Sequence, residues 1–218
     1  MKKLLFAAFT LLFLSIYTVQ SQNVIMTFST GVSPQQSPTS QFIFVNRSSP
    51  RDEFTFDLTA VKASYFIGFG AKYDANPFFF AAEAQFNKRE YIYNISYTFP
   101  GFGRSEQKQL LSESMNVINV PLTLGVDLGA VDVTSGFLPQ IILSQNSDLK
   151  DLEGYNQNLK WLRFGWHTGV AANIGDMRVG VSMQMDFNNY ADHAYIRKQN
   201  LALQGRSTRM LGTLSYQF

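Results

Sequence analysis

Apolar and polar side chains alternate along much of this chain. Between Arg178 and Asn188, Val179, Val181, Met183, Met185 and Phe187 are apolar, while Arg178, Gly180, Ser182, Gln184, Asp186 and Asn188 are polar or glycine. A period of two marks a strand, whose successive side chains leave opposite faces. The pattern recurs at Ile118, Val120, Leu122, Leu124, Val126 and Leu128, and again at Leu162, Phe164, Trp166, Thr168, Val170, Ala172 and Ile174. It closes the chain at Met210, Gly212, Leu214, Tyr216 and Phe218. Weaker alternation predicts strands over 23–32, 60–73, 77–97 and 131–143, the first of them with its pairing left open.

The connections alternate in length. Asp74-Ala75-Asn76-Pro77, Gly129-Ala130 and Gly175-Asp176 are tight turns, and polar stretches at 33–59, 98–113, 144–159 and 189–203 read as long loops. Short turns on one side and long loops on the other describe an up-and-down transmembrane barrel, with the loops extracellular. The expected fold is therefore all-β: an 8-stranded antiparallel barrel with both termini on the periplasmic side.

A soluble lipocalin-like barrel would point its apolar set inward. Here the polar set is rich in small residues and glycine and lacks the dense lysine and glutamate of a solvated face. The apolar set carries aromatics near strand ends, among them Tyr65, Tyr73, Phe78, Trp161, Trp166, Phe187 and Tyr216, as interfacial girdles do. The apolar faces are accordingly assigned to lipid and the polar faces to the lumen. The competing class is a soluble periplasmic ligand-binding barrel.

Charge and composition narrow the field. Met1-Lys2-Lys3 followed by the apolar run Leu4–Ile16 and Val19-Gln20-Ser21 has the form of a secretory signal peptide, residues 1–21, ahead of a barrel domain over 22–218. Its removal would take Lys2 and Lys3 from the 18 basic residues and leave 16 against 16 acidic ones. A neutral chain has no electrostatic case for a nucleic-acid partner. The absence of cysteine excludes disulfide frameworks, thiolate metal sites and cysteine nucleophiles, and no cofactor is expected.

Three segments carry a family resemblance. They are Val117-Ile118-Asn119-Val120-Pro121-Leu122-Thr123-Leu124-Gly125, the glycine-rich strand Phe164-Gly165-Trp166-His167-Thr168-Gly169-Val170-Ala171-Ala172, and the Tyr216-x-Phe218 end. On them the chain resembles the PorT-like outer-membrane β-barrel family of Bacteroidota. The resemblance implies the cell outer membrane as location. It also implies outer-membrane lipid and the barrel assembly machinery as partners, with Tyr216 and Phe218 in the assembly signal. The long first loop, 33–59 with its prolines, departs from the compact members.

The lumen-facing parity collects Lys62, Lys72, Glu83, Arg89, Asp127, Asp132, Arg163, His167, Arg178, Asp186 and Arg209. An eight-stranded interior is just wide enough for side chains to fill, and charges there must pair to offset desolvation. The first reading is a structural polar network that plugs the lumen. The sharper one is a small gated channel in which Glu83 and Arg163 exchange partners. His193 follows Asp192 in a long loop and reads as an exposed pair, but no serine motif supplies a nucleophile, so the chain is read as a non-enzyme. The loops, with Phe42, Phe44, Tyr97, Phe99, Phe102, Tyr155 and Tyr195, are the candidate contact with an extracellular or envelope protein or a glycan.

Overall fold

The computed structural model describes residues 24–38, 40–45, 53–99, 105–152, 155–196, 199–201, 203 and 205–218. The signal segment 1–21 lies outside the described residues. The strands are β1 (Val24–Ser33), β2 (Ser40–Val45), β3 (Glu53–Val61), β4 (Ser64–Ala75), β5 (Phe78–Phe99), β6 (Ser105–Asn119) and β7 (Leu122–Asp127). They continue as β8 (Val131–Ser147), β9 (Tyr155–Gln157), β10 (Leu162–Ile174), β11 (Met177–Asn189), β12 (Ala194–Ile196), β13 (Gln199–Asn200) and β14 (Arg206–Gln217). A single turn of 3-10 helix spans Asp148–Asp151.

The strands close into an antiparallel ring of eight staves. β1 pairs with β4 on one edge and β14 on the other, so the first strand, whose pairing the alternation left open, completes the closure. The ring continues from β4 to β5, β7, β8, β10, β11 and β14. Two staves are interrupted. β6 and β7 form one stave broken at Val120-Pro121, where proline cannot donate to the ladder. β3 and β4 form another, broken at Lys62-Ala63, with a bulge between Leu58 and Ala60.

Parity decides what each residue meets. Phe28, Ile67, Phe80, Leu124, Val133, Trp166, Val181 and Leu214 stand exposed on the outside of the ring, while Gln85, Asp132, His167, Gln184 and Arg209 are buried inside it. Such a belt is stable only against lipid, and a closed ring leaves no unpaired edge in the hydrocarbon. No helix among the described residues is long and apolar enough to cross a membrane. The chain crosses with strands, and a barrel of this kind belongs to the outer membrane.

Above the belt the polarity inverts without any change of parity. On the 22-residue β5 the outward belt ends at Phe86, and Lys88 and Glu90 follow on the same face. Inward, Glu83, Gln85, Asn87 and Arg89 give way to Tyr91, Tyr93 and Ile95. Outside the membrane water is the external solvent, so the apolar side chains turn in. They build a second core with Phe56, Leu58, Leu111, Met115 and Val117 on the strands, and with Ala194, Leu201 and Leu203 from the segment after β11, which folds over the mouth. Phe56 and Tyr93 stack with ring centroids 4.8 Å apart. Burying each such side chain contributes about 1.5–3 kcal/mol.

This core revises the expected loops. β2 and β3 occupy much of 33–59, and β6 runs through 105–113 of the stretch read as 98–113. The end of β8 and β9 lie within 144–159, and β12 and β13 within 189–203. These segments read as polar loops because their apolar residues occupy the inward parity, opposite to the belt. The backbone of β5 beyond the hydrocarbon keeps its ladder partners because β3 and β6 flank it there.

A lysine tests the assignment of faces. Val181→Lys, outward in the belt, should destabilise the folded barrel by about 2–4 kcal/mol, whereas Ser182→Lys, pointing into the lumen, should cost much less. Denaturant unfolding in lipid vesicles measures both, and the reverse ordering would mean that lipid does not surround the ring.

Candidate functional site

The polar side chains of the lumen form layers, and the middle layer is the densest. Arg89 on β5 donates from Nη1 to Asp186 Oδ2 at 3.1 Å and from Nη2 to Asn119 Oδ1 at 2.9 Å. Gln140 on β8 donates to the other oxygen of Asp186. Arg209 on β14 donates to Gln184 Oε1 at 2.8 Å, an oxygen that also accepts from Asn119 at 3.2 Å. Gln184 in turn donates to Gln85 Oε1 at 3.3 Å. Five staves are thereby tied across the lumen. Arg209, Asp186 and Arg89 are 1%, 2% and 3% exposed, so their charges are held by one another and by amides rather than by water. Removing one partner of such a buried pair costs about 3–5 kcal/mol.

Below this layer, toward the tight turns, the charges are pinned to the wall. Glu83 accepts from Ser29 Oγ. His167 Nε2 lies 3.3 Å from Thr123 Oγ1. Arg178 donates from Nε to Asp132 Oδ2 at 2.9 Å, and Asn173 donates to Asp132 Oδ1 at 3.0 Å. Lys72 pairs with Asp74 Oδ1 at 3.0 Å and sits 4.4 Å from the centroid of the Phe79 ring.

Above the layer, in the cap, a third group joins five strands and the segment that follows β11. Arg163 of β10 pairs with Asp192 Oδ1 at 2.7 Å, and His193 Nε2 with Glu113 Oε1 of β6 at 2.9 Å. Tyr93 donates to Glu113 Oε2 at 3.2 Å, Asn188 donates to Asp192 Oδ2 at 2.7 Å, and Gln145 reaches Glu113 from β8. His193 and Glu113 are 1% and 0% exposed. Burial by itself lowers the pKa of His193. Its contacts to Asp192 and Glu113 and the Glu113 charge outweigh burial and the opposing Arg163 charge, and hold the pKa above the ordinary value. Burial pushes Asp192 up, but His193, Arg163 and Asn188 hold it below the ordinary carboxylate value. Arg163 Nη2 also stands 3.2 Å from His193 Nδ1, a contact that suits a neutral ring as acceptor. Charge balance decides for the imidazolium. Glu113 and Asp192 against Arg163 alone leave one negative charge in a closed space, and protonating His193 cancels it.

The lumen parity thus brings Arg89, Asp186 and Arg209 into one network and Glu83, His167 and Arg178 into the wall below it. Three expectations fail. Lys62 is not luminal: it lies at the break between β3 and β4, where the bulge upsets the parity, and it pairs with Glu90 on the outer rim. Asp127 joins no network and accepts the Gly129 N–H at 2.7 Å in the tight turn. Arg163 points up to Asp192 while Glu83 sits low in the barrel with Ser29, so the two are not exchange partners. Tyr216 and Phe218 stand exposed at the end of the last stave, and Phe218 exchanges 3.0 Å backbone bonds with Met26. Glu113, the partner of the Asp192-His193 pair, has no signal of its own in the sequence because it sits among apolar residues at the inverted parity of β6. The amides Gln85, Asn119, Gln140 and Gln184 share the luminal parity with the charges, and that was their signal.

No protein-family model matches the chain, and no curated protein matches it in sequence. Among solved structures it is similar to the outer membrane protease OmpT from Escherichia coli, with a TM-score of 0.42 and 10% identity over 91% of this chain and 98% of that one. It is also similar to the transport unit of the autotransporter AIDA-I from Escherichia coli, with a TM-score of 0.29 and 11% identity over 92% of each chain. Both are outer-membrane β-barrels, and the likeness is one of fold. The reading as a non-enzyme is corrected here. One of these similar barrels is a protease. The Asp192-His193 pair is also not an exposed loop dipeptide: His193 is buried against Glu113 and Asp192 is half-buried against Arg163.

The cap cluster predicts a pH dependence. A raised His193 pKa contributes stability that is complete below its unfolded value of about 6.5 and is lost as pH rises through the folded value. A lowered Asp192 pKa contributes above about 3.9, and its share is lost as pH falls through the folded value. The segment over the mouth is therefore firmest between these limits. Hydrogen exchange at Leu201 and Leu203, whose amides donate to Ala194 O at 2.8 Å and Tyr190 O at 2.9 Å, should show higher protection free energies at pH 6 than at pH 8.5. His193→Gln should abolish that difference, and its persistence would assign the effect to another group.

Proposed function

We propose that this protein is a closed outer-membrane barrel whose lumen is plugged by polar side chains and whose strand-built extracellular cap is the working surface. The observation that carries this reading is the layer that joins Arg89, Asn119, Gln140, Asp186, Gln184 and Arg209, which ties five staves together across an eight-stranded lumen. A solute would have to break several buried, charge-assisted bonds to pass. The cap stands on staves whose length exceeds what a bilayer needs, about 9–11 residues per strand. Length beyond the membrane has a use only in what it meets there. An extracellular or envelope protein, or a glycan, is the partner this surface suits. The resemblance to PorT-like barrels favours a role in the envelope or in secretion. In this reading the barrel assembly machinery engages the last strand through Tyr216 and Phe218, which face lipid.

Conductance across a planar bilayer tests the plug. The unaltered protein should give no steady channel steps, while the double variant Arg89→Ala with Asp186→Ala should give them, since it removes both charges of the central pair together. Steady conductance from the unaltered protein would overturn the plug and favour a small channel.

A further inference from the structure

Between the middle layer and the tight turns the lumen is not filled. A hollow of about 100 Å³ remains, lined among others by Ser29, Glu83, Gln85, Thr123, His167 and Arg178, with Gln217 at its periplasmic end. A cavity needs about 10–15 Å³ of such space to hold one water, so the hollow admits several waters or one small solute.

The walls are built so that the hollow stays open. Glu83 lies flat against Gly68, where a Cβ would collide with its Oε1 and come within 2.6 Å of Ser29 Oγ. His167 lies against Gly136 in the same way, with its Nε2 2.7 Å from where a Cβ would be. Any larger residue at either glycine would push these side chains into the space they now border.

Two cations, Lys72 and Arg178, and one carboxylate, Glu83, line the hollow. Lys72 is matched by Asp74 and Arg178 by Asp132, at 3.0 and 2.9 Å. Glu83 takes a hydroxyl, and among the described residues no salt bridge reaches it. Glu83 is thus the one lining charge without a salt bridge, and it lies beside oxygen acceptors from Ser29 and Gln85 and, at the same level, Thr213 and Ser215. Glu83 is half-buried, held by Ser29 and Gln85 and without a salt bridge of its own, and a small cation that can also donate hydrogen bonds offsets the cost of taking its charge out of water.

We propose that the periplasmic half of the lumen is a binding site for a small primary ammonium compound, with Glu83 as counter-ion, the surrounding hydroxyl and amide oxygens as acceptors, and His167 and Arg178 bounding its size. The ammonium group presents three donors, which matches a carboxylate flanked by neutral oxygens. The site is entered from the periplasm and has the middle layer as its blind end, so it rests on the closed lumen proposed above.

The full chain, folded in phosphatidylcholine nanodiscs, should bind ethanolamine saturably at pH 7 in calorimetric titration. Ethylene glycol, its neutral counterpart of the same size, should not bind, and choline, which has no N–H donors and is larger, should bind at least tenfold more weakly. Glu83→Gln should weaken ethanolamine binding at least tenfold, while Glu90→Gln on the outer rim should leave it unchanged. No saturable binding to the unaltered protein, equal binding of ethylene glycol, or undiminished binding by a Glu83→Gln protein that still shows the heat shift of a folded barrel would each overturn the proposal. The comparison of ethanolamine with ethylene glycol needs no variant to fold. A conducting unaltered protein would fail the closed-lumen reading, whereas loss of selectivity for the ammonium in a non-conducting barrel would fail this one alone.

Discussion

Hydrocarbon offers no hydrogen-bond partner to a backbone amide or carbonyl, so every such group within the bilayer must find one in the protein. A sheet meets that demand only when its first strand finds its last. Here β1 pairs residue by residue with β14, from Thr27 opposite Gln217 to Val32 opposite Gly212. Once the ring is closed, side-chain parity becomes a choice between lipid and lumen. The belt, the luminal network and the narrow interior all follow from that closure.

The same parity is put to opposite use beyond the bilayer. On β5 the inward residues pass from Gln85 and Arg89 to Tyr93 and Ile95 with no break in the ladder to β6. The solvent outside the barrel changes from hydrocarbon to water along a single strand, and the side chains change sides with it. The cap is in this respect an ordinary water-soluble sheet continuous with a membrane one. Its core is closed by a segment from between β11 and β14 that brings Ala194, Leu201 and Leu203 against the long staves. The polar group of that segment, Asp192 and His193, is fixed by Arg163 and Glu113 where the lumen meets the cap.

Charge is distributed with the same economy of space. At mid-height two guanidinium groups share one carboxylate, and the deficit is filled by amides, whose carbonyl oxygens stabilise a cation without adding a second unpaired charge. Low in the lumen the charges are laid against glycines, so that this part of the barrel is hollow where the middle is full. High in the barrel a histidine between two carboxylates supplies the positive charge that Arg163 alone does not.

Much of this was written in the alternation of residues. The strands themselves, the lipid face of Val179–Phe187 and the inward course of Arg89, Asp186 and Arg209 follow from a period of two once the outer face is given to lipid; the pairing of β1 with β14 that closes the ring does not. The luminal amides shared that parity and were legible with the charges. Tertiary structure alone decided three things. Lys62 left the lumen because a bulge two residues earlier shifts the register, and a bulge has no fixed sequence signature. Glu113 met His193 across 80 positions of sequence, a pairing set by how far β6 rises and how the last segment folds over the mouth. The stretches that resembled loops became strands because polarity has meaning only relative to the solvent outside, and a sequence does not mark the height at which lipid ends and water begins.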